Sequence, residues 1–230
     1  MTMTAKIETE PIDTFLTEAR AELEQHPLLT AAREGELPRE ILDELAFHQY
    51  SDSILWIPML AQMKTKATRS ARLRRAIEDN IAHEAGLGGT SHVTLAVDLM
   101  RSLGVRTLAL FPHETFTTSA TLWLSDAFYD FGEPEVAGFL LTAETLVPRM
   151  FAAVLPAYAH IDCATRYFEE HVTVDGDEHA VWMREAVDEV ISIYGPASVR
   201  RVLHGMRDAR EETREVPDAL WRRACPRASL

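Results

Sequence analysis

The sequence predicts an all-α fold. Three observations carry that prediction: apolar residues recur at three-and-four spacing along most of the chain, alternating strand patterns are missing, and Gly and Pro stand where helices would start or stop. Val93 to Val97 comes nearest to a strand, and it lies inside a better helical pattern. Taken in order, Ile12 to Gln25 puts Phe15, Ala19 and Leu23 on one stripe. A longer segment starts near Pro38, which suits a first helical turn, and runs towards Thr65 with Pro58 as a kink. Arg72 to His83 aligns Leu73, Ile77 and Ile81 until Gly86, Gly88 and Gly89 interrupt it. Ser91 to Leu103 resumes a helix that Gly104 stops. Thr115 to Phe131 and Pro134 to His160 are helical in composition, with Pro148 and Pro156 as kinks. Asp162 to His171 leads to a polar stretch. Ala180 to Tyr194 is amphipathic and ends at Gly195-Pro196. Pro196 to Glu212 is expected to be the last helix, with a short tail after Pro217 docked by Trp221.

The chain has 230 residues, 47% of them hydrophobic, with no repeat and no linker, so one domain spanning 1–230 is expected. Lys and Arg number 23 against 36 Asp and Glu, a formal net charge of -13. That balance argues against nucleic acid and against an anionic membrane surface, which both need clustered basic residues. No unbroken apolar run reaches the eighteen or so residues of a membrane span. Cys163 and Cys225 are far apart, and Met1 to Pro11 is too polar for a signal peptide. A cytoplasmic location follows as the expectation.

The chemistry concentrates in Tyr167-Phe168-Glu169-Glu170-His171-Val172-Thr173-Val174-Asp175-Gly176-Asp177-Glu178-His179-Ala180. His171, Asp175 and His179 are four residues apart, so on a helix they share a face. A plain acidic helix start, capped by Asp175 or Asp177, accounts for the carboxylates but not for the spacing of the histidines. A second cluster holds Glu84 and His92 on either side of the glycine-rich bend. His83-Glu84 does not open an HExxH zinc motif, because position 87 is Leu. The third element is Glu144, inside the otherwise uncharged run Gly138 to Pro148. A carboxylate there is costly to bury unless paired or metal-bound. Any one of these residues alone is more simply read as solvated or satisfied in a core. Together, Glu84, His92, Glu144, His171, Asp175 and His179 offer three carboxylates and three imidazoles. Such a mixed set suits Fe or Mn better than structural zinc, and carboxylates in a bundle can bridge two metals. Two Fe(II) ions against three carboxylates leave about one net positive charge, which favours an incoming peroxide or a substrate carboxylate. Arg149 is a candidate partner for that carboxylate, or else part of a surface salt bridge. Tyr158, Met150 and Phe151 are candidate pocket or core residues.

The ordered pattern — Glu, glycine-rich bend, His; Glu before Val-Pro; Tyr-Phe-x-x-His-x-x-x-Asp and a closing His-Ala — resembles the haem-oxygenase-like di-iron oxidases and oxygenases, from about Leu37 to Val190. The resemblance implies a compact bundle of about seven or more helices, often a homodimer, with the metal site in its middle. It carries the metal-ligand role onto Glu84, His92, Glu144, His171, Asp175 and His179. It implies two Fe(II) per chain, O2 as co-substrate, and a small amino acid or amine as substrate. The oxidation would be N-oxygenation, desaturation, C–C cleavage or ring formation, in specialised metabolism. The family commonly has the last His three residues after the Asp; here the gap is four, with Glu178 as the competing ligand. Some members add a carboxylate from an early core helix, where this chain has Asp52. Two other readings stand beside it: a thiaminase-like hydrolase on the same bundle, with Cys163 as nucleophile, and a non-enzymatic helical binding protein.

Overall fold

A computed structural model of the chain describes residues 10–105, 130–175 and 178–225, without the side chains of residues 174, 175 and 178. All regular structure among them is helical: α1 (Glu10–Glu24), α2 (Pro27–Glu34), α3 (Arg39–Lys66), α4 (Ala71–Glu84), α5 (His92–Ser102), α6 (Glu133–His160), α7 (Arg166–Glu170), α8 (Glu178–Tyr194) and α9 (Val199–Ala224). A π turn, His171–Asp175, follows α7, and a 3-10 turn, Pro196–Ser198, precedes α9. The helix expected over Thr115 to Phe131 falls almost wholly outside the described residues.

Helix α6 is the axis of the bundle, and α1, α2, α8 and α9 pack around it. Its apolar side chains, among them Leu140, Leu141, Phe151 and Val154, are buried. Each such side chain stabilises the fold by roughly 1.5–3 kcal/mol on burial. By length and hydropathy α6 could cross a membrane, contrary to the expectation from the sequence, but most of its apolar stretch is buried inside the bundle. Glycines set its spacing from α9. A Cβ on Gly138 would stand 2.0 Å from the Val202 carbonyl oxygen, and one on Gly205 1.9 Å from that of Glu135. Arg201 then clamps the two helices, with Nε donating to Glu135 Oε1 at 2.5 Å and Nη2 to Oε2 at 2.7 Å.

Two expectations about the helices are corrected. The chain forms α2, which the apolar pattern did not indicate; His26 Nδ1 accepts from the Leu28 amide at 3.2 Å and Pro27 opens the first turn. The last helix does not end at Glu212 but runs through Pro217 to Ala224. Proline in a helix costs about 3 kcal/mol. Here that cost is offset by the burial of Pro217 and Leu220, the Arg223–Glu44 ion pair, and His26 Nε2 lying 3.0 Å from Asp218 Oδ1. Helices α3 and α6 likewise continue through Pro58, Pro148 and Pro156.

Candidate metal centre

The glycine-rich bend builds one wall of the site. Gly86 sits at φ 80, and a Cβ there would stand 2.4 Å from the Ser91 amide nitrogen. Only glycine tolerates both. The tight bend lets α5 start at His92, with Ser91 Oγ accepting from the Thr94 amide at 3.3 Å. As a result Glu84, the last residue of α4, meets His92, the first of α5: Oε2 and Nδ1 are 2.8 Å apart. That approach is short, yet neither His92 ring nitrogen makes a hydrogen bond of good geometry among the described residues, although both are buried. Buried ring nitrogens without such bonds are costly unless something else uses their lone pairs.

His171 arrives from the other wall. Its Nδ1 donates to the Tyr167 carbonyl at 2.7 Å, which assigns the tautomer in which Nε2 carries the ring's lone pair, the form that binds a metal. The His171 and His92 ring centroids are 4.2 Å apart. One ligand atom from each of Glu84, His92 and His171 lies within 4.8 Å of the other two, and all three residues are buried. Glu144 and His179 form a second pair, with Nδ1 3.2 Å from Oε2. Asn80 Nδ2 donates to the other oxygen of Glu144 at 2.5 Å. The ring of His83 lies between the two pairs, 4.9 Å from His92 and 5.4 Å from His179, centroid to centroid. The side chains of Asp175 and Glu178 lie outside the described residues.

A cavity of about 120 Å³ adjoins this cluster. Glu84, Glu144, Phe151, Tyr167 and His171 are its buried floor, and half-buried Asp52, Trp56, Val147, Glu212, Thr213 and Val216 form its rim. Met150 and Phe151 line it as expected, whereas Tyr158 packs in the core and donates its hydroxyl to the Leu42 carbonyl at 2.6 Å. Arg149 takes no part; its guanidinium is at the surface, 2.9 Å from Glu24 Oε1. Cys163 is not among the described lining residues, and burial pushes its thiol up, away from the thiolate that a nucleophile needs.

Asn80, His83 and Glu212 were not anticipated. Asn80 stands one helical turn before Glu84, on the same face of α4, which is a signal the sequence held. Glu212 sits in the charged run Arg210-Glu211-Glu212, where nothing sets it apart from its exposed neighbours.

The donor set of two buried imidazoles and a carboxylate fits iron, and the buried Nε2 of His92, without a hydrogen-bond partner among the described residues, is the particular observation behind that fit. Similar folds occur in solved structures. A domain of unknown function with a haem-oxygenase-like fold from Shewanella denitrificans aligns with a TM-score of 0.75 at 16% identity, over 98% of this chain and 97% of that one. A TenA homolog from Pseudomonas syringae gives 0.69 at 12% identity, over 96% and 99%. A CADD-like protein of unknown function from Nostoc punctiforme gives 0.67 at 16%, over 96% and 99%. At these identities the likeness establishes the architecture: an all-α, haem-oxygenase-like bundle. The chain belongs to the iron-containing redox enzyme family, whose profile matches residues 39–212. A comparison with curated proteins finds no match.

Proposed function

We propose that this chain is a non-haem di-iron enzyme that activates O2 to oxidise a small amine or amino acid. The observation that carries the reading is the buried convergence of Glu84, His92 and His171 within 4.8 Å beside a cavity. In a chain of the iron-containing redox family, that cluster would hold one iron. Glu144 and His179, already paired at 3.2 Å, with Asp175 completing the six, would hold the second. When bound, ferrous iron supplies redox chemistry with O2 that no protein side chain provides.

The chain's own residues do the rest. The Tyr167 carbonyl fixes the His171 ring, and Asn80 fixes the Glu144 carboxylate, so both donors are oriented before a metal arrives. Phe151 and Tyr167 wall the floor and exclude water from it. The Tyr167 hydroxyl, 3.1 Å from Ser53 Oγ, is a proton-bearing group at the cavity wall. The hydrolase alternative is weakened by the position and the raised thiol of Cys163. The reading brings with it a single domain over 1–230, a cytoplasmic location and a homodimer, the last checked by light scattering of the purified protein.

Anaerobic Fe(II) titration should saturate near two ions per chain, and O2 should then give a transient visible absorption. His171→Ala should lose iron and the absorption while keeping the parent's helical circular dichroism. A folded variant that binds iron and reacts like the parent would overturn the site. Mass spectrometry after incubation of the iron-loaded protein with O2 and single amino acids or amines then identifies the oxidised bond.

A further inference from the structure

The cavity carries one sign of fixed charge. Asp52 on α3 and Glu212 on α9 enter at its rim, while Glu84 and Glu144 lie at its floor. No Lys or Arg lines it among the described residues. Asp52 keeps some exposed surface, but its Oδ1 has no contact with solvent and no hydrogen-bond partner among the described residues. Burial pushes its carboxyl up to about 7. Glu212 is pushed well above the usual carboxylate range, first by burial and then by the charges of Asp52, Glu215 and Asp208. Every charge acting on it is negative. The rest of the lining is mostly carbon, with Trp56, Phe139, Val147 and Val216 among it; Gln49, Ser53 and Thr213 are polar, and the Ser53 and Thr213 hydroxyls are bonded to the carbonyls of Gln49 and Ala209.

A pair of carboxylates so placed needs a cation or a shared proton. A metal ion is the poorer occupant, because the surrounding walls offer mostly carbon rather than further oxygen or nitrogen donors. An alkylammonium meets both requirements at once: its N–H groups donate to the carboxylates, and its hydrocarbon lies against the walls. At about 120 Å³ the cavity is a little smaller than one of about 150 Å³ that takes benzene, so it has room for a short aliphatic chain.

We infer that the cavity binds a short primary amine, its ammonium held between Asp52 and Glu212 and its apolar body extending towards Glu84, Glu144 and His171. The inference rests on the oxidase reading only for what then happens to the amine; recognition of the cation depends on the cavity alone. It replaces the expectation of a bound substrate carboxylate. The end of the substrate that the protein grips is cationic, and the carbon chain is the part presented to the candidate metal residues.

The test uses the metal-free full chain and three probes of similar size: n-butylammonium, n-butanol and n-butyrate, titrated by calorimetry at pH 7.5. Butylammonium should bind about tenfold or more tighter than butanol, the scale of hydrogen bonds to charged groups, and butyrate weakest. Glu212→Gln should bring butylammonium close to butanol while leaving butanol binding and the Fe(II) stoichiometry unchanged. Asp52→Asn should do the same, and it keeps the test decisive if the Glu212 variant does not fold. Equal binding of amine and alcohol by the parent overturns the inference, as does loss of both probes together in a variant, which marks a packing role. Asp52→Asn losing iron while keeping the preference for amine assigns Asp52 to the metal and removes it from the subsite. Failure of the oxidase reading shows separately, in the Fe(II) titration of the parent.

Discussion

Replacing Asp52 by Asn removes a carboxyl that the folded chain protonates more readily than the unfolded chain does. Burial raises this group from an ordinary 3.8 to about 7. Below pH 3.8 the carboxyl is neutral in both states, and it adds nothing to the pH dependence of stability. As pH rises towards 7, the unfolded chain ionises while the fold resists, so stability falls; above 7 the full penalty applies. A rise of about three pK units at 1.36 kcal/mol each gives about 4 kcal/mol. Asn keeps the shape and cannot ionise. It also lifts the Asp52 charge from Glu212, which acts in the same direction. The stability difference between Asp52→Asn and the parent should therefore grow by up to about 4 kcal/mol between pH 4 and pH 8, with the variant gaining. Urea unfolding of metal-free protein at pH 4.5, 6 and 8 measures it. A gap that stays constant with pH would refute the claim that Asp52 is held protonated by burial.

Other perturbations act elsewhere in the bundle. Burial, reinforced by Arg223, lowers the pKa of His48 from 6.5 to about 4, so the fold keeps it neutral and loses stability as pH falls through that window. His48→Gln should remove about 2 kcal/mol of acid-side loss between pH 6.5 and 4.5, read from unfolding at the two values; parallel curves would count against it. Gly205→Ala drives a methyl into the Glu135 carbonyl oxygen, 1.9 Å from the new Cβ. It should cost about 1–3 kcal/mol or more and lower the melting temperature by several degrees. Because α9 carries Glu212, the same variant should weaken butylammonium binding, and an unchanged melt with unchanged binding would show that α6 and α9 can separate freely.

The parts of the site that were legible in the sequence are those whose logic is local. Glu144 stood out because a carboxylate in an apolar run needs a partner, and Asn80 and His179 are its partners. Glu84 and His92 were linked by glycines, and Gly86 is the residue that the bend requires. The polarity of the pocket was not legible. Three carboxylates counted along the chain left room for a substrate carboxylate. The structure adds Glu212 to the Asp52 that the resemblance had raised, and withdraws Arg149 to the surface, so the described lining carries acidic groups and no Lys or Arg. Glu212 could not have been found by pattern, because its burial depends on how α9 crosses α3 and α6. That crossing depends on α9 continuing past Pro217, where local rules predict a stop.

The π turn at His171–Asp175 turns a question of spacing into one of phase. Along an unbroken helix the eight steps from His171 to His179 rotate the second ring by roughly 80° from the first, at about 100° per residue. A π turn takes up one extra residue without advancing the helix register. Seven helical steps, by contrast, would leave two rings within about 20° of one another. Both histidines are in fact buried towards the same cluster. An extra residue taken up by a π turn need not rotate a ligand that follows it. What a metal needs from such a segment is the direction of a ring, and more than one residue count can deliver it.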